Sequence, residues 1–332
     1  MSLLLDDWVA TQPLRQRAPR FAGIAGLGVA LPEQVVTNDD VGSSLGVDDA
    51  WIQRRTGIRT RRHVSPGQRF TDLAIDAARL ALDDAAVDAG RLDLVIVASI
   101  SQDELTPGAA PQVAAALGAK HAGAFDLGAA CTGFVSGLSV ATAFIESGRA
   151  SRVLLVGGDV LSRNIDKTDR STAILFGDGV GAIVLAAGGP GWIGSSVLGA
   201  DGSAADLITI SRDDALIRMN GHETFQHAVA RMSESTLAAC AGEGLALQDI
   251  DLFVYHQANA RILTGIAESL SLRPERLVNA IADVGNTSAG SVPLALDAAR
   301  RSGQLKQGSI VLVAAFGAGL TWGAVVLEWG RS

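Results

Sequence analysis

Long apolar runs are missing from this chain. No stretch reaches the roughly 20 residues a membrane-spanning helix needs, although 48% of the residues are hydrophobic. The N-terminus, MSLLLDDWVA, has two acids directly after its short apolar stretch and no basic start, which does not fit a secretory signal. Cysteine is scarce. Cys131 and Cys240 are the only two, too few for a disulfide framework and without metal-ligand spacing around them. A reduced, cytoplasmic setting is the expectation. Positive charge is in deficit too, with 27 Lys and Arg against 35 Asp and Glu and a formal net charge of -8. That balance argues against nucleic acid or an anionic membrane as the main partner. Only local basic clusters remain to grip an anionic ligand.

What is present is a compact composition. With 332 residues the chain fills one large or two medium domains, and 19% charge is no excess of solvating residues. Runs rich in Val, Ile and Leu read as strands at 92–100, 152–160, 172–187, 250–256 and 309–329. Helical patterns such as DLAIDAARLALDDAA and SVPLALDAARRSG lie between them. Alternation of this kind predicts an α/β architecture with sheets buried on both faces.

The chain also echoes itself. FGDGVGAIVL (176–185) returns as FGAGLTWGAVVL (316–327), and LDLVIV (92–97) as IDLFVY (250–255). GAACTGFVSGL and GNTSAGSVPLA both set small residues before a helix, about 157 positions apart. Three echoes in one order indicate domain duplication. The junction is expected near the Gly- and Ser-rich 188–205. The division is therefore a 1–20 extension, an N-terminal half at 21–190 carrying the cysteine, and a C-terminal half at 191–332.

Cys131 stands out because FDLGAACTGFVSG strips bulk from around one thiol. If AFDLGAA is a strand and GFVSGLSVATAFIESG a helix, Cys131 sits at the turn. Unpaired N–H groups and the helix dipole there are expected to lower its pKa. Cys240, in the helical TLAACAGEG, reads as a buried small hydrophobe. Among the histidines, His63, His121, His222 and His227 read as structural. His256 differs, because it ends the strand LFVYH in the half that mirrors the cysteine half. Asn286 lies in GNTSAGS before another helix; alone it is equally a turn residue or cap. Cysteine, histidine and asparagine in that order also suit a papain-like hydrolase, but the CGSCW-like signature is absent.

Together these stretches resemble the thiolase superfamily, specifically 3-oxoacyl-ACP synthase III (the ketoacyl synthase III family). The resemblance covers about residues 20 to 330 and runs in family order through DDAWIQRRTGIRTRRH, FDLGAACTGF, DKTDRSTAILFGDGVGA, MNGHETFQHAV, HQANARI, GNTSAGSVP and AFGAGLTWG. It implies a thiolase fold, with duplicated βαβαβ-type halves forming a five-layered α/β core, in a cytoplasmic homodimer. It implies a Cys131 nucleophile that takes an acyl group from an acyl-CoA. His256 and Asn286 would then stabilise the enolate formed when a malonyl thioester loses CO2. The oxyanion donors would be the backbone N–H groups of Cys131 and Ala318. CoA would contact Trp51, Arg55, Arg59, Arg170, Gly221, Phe225, Ala258 and Asn259, with Trp51 and Arg170 sandwiching the adenine. Thr106, Leu161 and Phe176 would wall the acyl pocket. No permanently bound cofactor is implied; acyl-CoA and the malonyl thioester are substrates.

Two positions depart from the family pattern. Thr106 falls where short-chain enzymes carry a phenylalanine, which favours longer or branched primers. The docking face for an acidic acyl carrier protein keeps Arg261, but AES (267–269) and Gln226 replace typical cations. That weakens charge-driven docking and makes a pathway-specific carrier or malonyl-CoA an alternative acceptor. Besides decarboxylative condensation, two readings stay open: acyl transfer to another nucleophile without decarboxylation, and an inactive partner in a condensing complex.

Overall fold

A computed structural model describes residues 21–330; the 1–20 extension lies outside the described residues. The N-terminal half contains β1 (Ala22–Ala30), β2 (Gln34–Thr37), α1 (Asn38–Leu45), α2 (Asp49–Thr56), β3 (Thr60–His63), α3 (Phe70–Ala85), β4 (Leu94–Ala98), α4 (Ala109–Leu117), β5 (Gly123–Leu127), α5 (Gly133–Glu146), β6 (Arg152–Asp159) and β7 (Gly179–Ala187). The C-terminal half contains β8 (Gly191–Ile193), β9 (Val197–Ala200), β10 (Ile208–Ile210), β11 (Ile217–Met219), α6 (Gly221–Gly242), β12 (Leu252–Tyr255), α7 (Ala260–Leu270), α8 (Ser291–Arg301), β13 (Ser309–Gly317) and β14 (Thr321–Trp329).

The first sheet runs β1-β7-β6-β4-β5, with β6, β4 and β5 parallel. The second runs β12-β13-β14-β8, and β9 also pairs with β14. One five-stranded sheet is built from residues 22–187 and the other from residues 191–329, and the two-stranded pairs β2-β3 and β10-β11 accompany them. Five layers result. Helices α3 and α4 cover the outer face of the first sheet with Phe70, Leu73, Ala77 and Val113. Helices α5 and α8 lie between the sheets, burying Phe134, Leu138, Val292 and Leu296. Helices α6 and α7 cover the far side with Met232, Leu263 and Ile266. The buried positions of α3 recur at spacings of three and four, which gives one apolar stripe on a regular helix. Strands β4 and β12 are buried at every position because both faces of each sheet are covered.

The duplication is visible in the backbone. Strands β4 and β12 begin at Leu94 and Leu252, and helices α5 and α8 at Gly133 and Ser291. The single 3-10 turns before those helices begin at Ala130 and Ser288. Every pair is 158 positions apart, so the structural register is one residue longer than the sequence echo of about 157. Ala130 and Ser288 both adopt a positive φ, 45° and 51°, and thereby turn the two turns inward toward one another.

Two expected strands differ from their sequence patterns. In 172–187, only Gly179 onward is strand, because the Asp169 carboxylate accepts from Ser171 N, Ser171 Oγ and Thr172 Oγ1 and winds the preceding segment into a turn. The 309–329 run is two antiparallel strands, paired from Ser309 with Trp329 to Gly317 with Thr321. Both strands are buried, so no polar break marks the turn in the sequence.

Candidate active site

The two inward turns meet at the centre of the molecule. Cys131 sits in the 3-10 turn after β5, and Ser288 Oγ lies 3.4 Å from its Sγ. Glycine is required on the other side, at Gly317: a Cβ there would stand 2.9 Å from Cys131 N and 3.0 Å from Cys131 Cβ. The β13 end therefore presses directly on the cysteine and brings Ala318 beside it. Hydroxyls fix that approach. Thr132 Oγ1 donates to Ala129 O at 2.6 Å, and the single Thr321 hydroxyl proton is shared between Thr132 Oγ1 at 2.8 Å and Ala318 O at 3.1 Å. Neither the Cys131 nor the Ala318 N–H has a backbone acceptor among the described residues, and the Cys131 N–H turns toward its own sulfur.

His256 follows β12 and is buried. Its Nδ1 is 2.6 Å from Ser291 Oγ, which also accepts from Gln257 N at 3.3 Å. The Ser291 hydroxyl has one proton and, among the described residues, no acceptor other than Nδ1. It therefore donates to Nδ1 and leaves the proton of the neutral ring on Nε2. Burial pushes the His256 pKa down to about 4, so the ring is neutral at physiological pH. Asn286 is held by a bridge to Phe176, and its Oδ1 accepts from Ser288 N at 2.9 Å. That leaves the Nδ2 amide as its unengaged donor.

Cys131, His256, Asn286 and Ala318 all line one cavity of about 1260 Å3, larger than an ordinary small-molecule site. Trp51, Arg55, Arg170, Gly221, Phe225, Ala258, Asn259 and Arg261 line it as well. Arg55 and Arg170 stand over the Trp51 ring, at 4.4 and 5.7 Å from its centroid. Gly57 lets α2 reach the other half: it has φ 75°, and a Cβ there would come within 2.5 Å of Ala260 Cβ at the start of α7. Asn259 has a local task too, since its Oδ1 caps α7 by accepting from Arg261 N at 2.9 Å. Leu161 and Phe176 form part of the apolar wall.

Two expected residues are not brought to this group. Arg59 is absent from the cavity lining; its guanidinium is held in a forked pair by Asp283 at 2.8 and 3.0 Å. Thr106 is exposed and outside the cavity of its own chain, where its neighbours Leu105 and Ile100 reach the wall. The expected lowering of the Cys131 pKa is also reversed. Helix α5 starts two residues beyond the thiol, and burial pushes the pKa up to about 11, against the hydrogen bond from Ser288. His222 lines the cavity, contrary to its structural reading, while His63 lies 3.4 Å from Phe176 O behind it. The sequence reading missed the β10–β11 hairpin, whose Ile208, Ile210 and Ile217 line the site together with Arg212. Three-residue strands are too short to show periodicity. It also missed Ser291 and Thr321, single hydroxyls that no spacing marks.

Comparison with known proteins gives the family. Residues 125–202 match the family model described as 3-oxoacyl-(acyl-carrier-protein) synthase III, and residues 240–329 match its C-terminal model. The beta-ketoacyl-(acyl-carrier-protein) synthase III 2 of Streptomyces coelicolor is 48% identical over 93% of this chain and 94% of its own length. This chain belongs to the 3-oxoacyl-(acyl-carrier-protein) synthase III family. The synthase III of Pseudomonas aeruginosa PAO1 superposes with a TM-score of 0.90 at 44% identity, covering 94% of this chain and 99% of that one. The priming β-ketosynthase of the R1128 polyketide biosynthetic pathway gives 0.90 at 36% identity, over 95% and 99%. The five layers described above are thus the thiolase fold of synthase III enzymes.

Proposed function

We infer that this synthase III condenses an acyl primer with a malonyl thioester, with loss of CO2, to give a 3-oxoacyl thioester that starts a fatty acid or polyketide chain. The observation that carries the reading is the convergence on one cavity of a thiol, two backbone N–H groups without a backbone acceptor among the described residues, and a second pair of neutral donors from the other half. Cys131 attacks the acyl-CoA thioester, CoA leaves, and the acyl group stays on sulfur. The N–H groups of Cys131 and Ala318 receive the oxygen that becomes negative in that step. The malonyl thioester then enters and loses CO2. Its enolate oxygen is held by His256 Nε2–H and the Asn286 amide while the enolate carbon attacks the acyl carbonyl. Neutrality of His256 matters, because an imidazolium would hold the malonyl carboxylate as well as the enolate oxygen. Two donors on the thioester oxygen favour decarboxylation over simple acyl transfer, which has no enolate to stabilise.

Trp51 and Arg170 take the adenine of CoA in this reading, with Arg55 and Arg212 toward its phosphates. Gly221, Phe225, Ala258 and Asn259 line the pantetheine path, and Leu161 and Phe176 wall the acyl end. The enzyme is an acyltransferase without a permanent cofactor, with nucleophile and enolate pair contributed by residues 21–190 and 191–332. Arg261 and Arg212 at the mouth receive an acyl carrier protein. Among the described residues strand β5, which carries the exposed Phe125, ends its sheet, which suits pairing with a second copy and would bring Thr106 toward that copy's pocket. A cytoplasmic location keeps the thiol reduced.

Intact-protein mass after incubation with acetyl- through decanoyl-CoA and branched C4–C5 acyl-CoAs tests the first step. One adduct, lost in Cys131→Ala, is expected, and its mass names the primer. Cys131→Ala should still decarboxylate malonyl thioester, whereas His256→Ala and Asn286→Ala should not. Acyl transfer without CO2 release would establish the alternative.

A further inference from the structure

One short turn, residues 286–291, carries or touches all three groups of the site. Asn286 opens it and lines the cavity with Cys131. Ser291 closes it and holds His256 Nδ1 at 2.6 Å. Ser288 lies between them, fully buried and bonded at both ends. Its N–H donates to Asn286 Oδ1 at 2.9 Å, and its hydroxyl donates to Cys131 Sγ at 3.4 Å. Its φ of 51° lies in the left-handed region, a strained conformation for any residue but glycine. The counterpart of Ser288 in the other half, Ala130, holds the same conformation, with φ 45°, and has no hydroxyl. The fold therefore needs this turn without needing the oxygen, and nothing in the condensation as described uses it.

We propose that Ser288 is a further catalytic residue, whose hydroxyl stabilises the Cys131 thiolate both as nucleophile and as leaving group. The proposal rests on Cys131 being the nucleophile. In acylation the bond from the acyl carbon to Cys131 Sγ forms and the bond to the CoA sulfur breaks; the proton lost by Cys131 ends on CoA. In condensation the enolate carbon bonds the acyl carbon and the bond to Cys131 Sγ breaks. The sulfur leaves as a thiolate and takes a proton from water.

At both moments negative charge sits on Sγ. Burial pushes the thiol pKa up to about 11, and the Ser288 bond acts against that shift. A hydrogen bond to an ionised acceptor is about twice as strong as one to a neutral acceptor. The resting thiol and the acyl-enzyme thioester are both neutral at sulfur. The bond is thus strongest in the charged states between them, which is the condition for accelerating a step.

The test is Ser288→Ala, which Ala130 shows the backbone conformation to accept and which keeps the N–H bonded to Asn286. Alkylation of Cys131 by iodoacetamide at pH 8, without substrate, is followed by mass spectrometry of the Cys131 peptide. It should slow about three- to tenfold. Loss of a bond to a charged acceptor cuts the thiolate fraction by about tenfold or more, and the more basic thiolate regains part of that through its higher nucleophilicity. Malonyl decarboxylation separates this role from a merely structural one. In the Cys131→Ala background there is no sulfur to serve, so adding Ser288→Ala should leave the decarboxylation rate within about twofold. If Ser288 only shapes the turn that carries Asn286 and Ser291, that rate falls as well, and the proposal is overturned. An alkylation rate at or above wild type also overturns it. Ser288→Gly, which suits the positive φ, gives the same readouts if Ser288→Ala does not fold. A wild type that takes no acyl group from any acyl-CoA overturns the nucleophile reading instead; alkylation needs no acyl donor and still decides the hydrogen bond.

Discussion

Substituting Gly317 by Ala adds one methyl group at the point where β13 presses on the nucleophile. Its Cβ would stand 2.9 Å from Cys131 N, 3.0 Å from Cys131 Cβ and 3.3 Å from Cys131 Cα. All three are atoms fixed to the backbone of a turn, so no side chain can swing away to relieve the contact. Either that turn or the β13–β14 turn must move by several tenths of an ångström. The movement acts on the relation between the Cys131 and Ala318 N–H groups, which are useful only while both aim at one oxygen. Loss of one such donor costs about 10^2–10^3 in rate, and overpacking a tight site costs about 1–3 kcal/mol of stability. Gly317→Ala should therefore form acyl-Cys131 about a hundredfold more slowly and melt a few degrees lower. Affinity for acyl-CoA should stay nearly unchanged, because Trp51 and Arg170 are remote from the change. Time-resolved intact mass with the preferred acyl-CoA measures the first effect, and thermal unfolding the second. Acylation within threefold of wild type at an unchanged melting temperature would refute the close-approach argument.

Ser291→Ala removes the hydroxyl that fixes the His256 tautomer. It should slow malonyl decarboxylation by about 10–100-fold, from the loss of a buried hydrogen bond worth about 1–3 kcal/mol, with a smaller effect on acyl-Cys131 formation. Trp51→Ala and Arg170→Ala should each raise KM for acyl-CoA by about tenfold with kcat kept, as expected for a stacking contact of about 1–2 kcal/mol. The pH dependence follows from His256, whose pKa of about 4 in the fold lies below the 6.5 of the unfolded chain. Its stabilising effect is complete above pH 6.5 and is lost as pH falls from 6.5 toward 4, because the unfolded chain binds the proton first. The full effect is about 3 kcal/mol, so His256→Gln should flatten the fall in melting temperature between pH 6.5 and 4.5.

Some features were legible because they are local or repeated. Valine-rich runs of five residues, such as Leu94–Ala98, are buried on both faces, so composition alone announces a covered strand. The glycine and alanine around Cys131 mark a thiol that must be approached. Other features were hidden by sequence distance. Ser288 looks like one small residue among several; its meaning arises when its hydroxyl comes 3.4 Å from the sulfur of Cys131, 157 positions away. The Gly179 start of β7 was misread because the Asp169 carboxylate winds the segment before it, a side-chain effect that hydropathy does not register. The ion pair of Arg59 was hidden for a similar reason, as Asp283, 224 residues away, engages the guanidinium.

The sequence by itself determined the α/β class, the duplication and the cast of reacting groups, since each follows from residue type, short-range pattern or recurrence. Only the tertiary structure decided the electrostatics of the site. Burial raises the Cys131 thiol pKa and lowers that of the His256 imidazole, and burial is a property of the whole packed molecule. The same packing buries the Asp159 carboxyl at the end of β6 and raises its pKa, an effect of desolvation that no short-range pattern in the sequence announces.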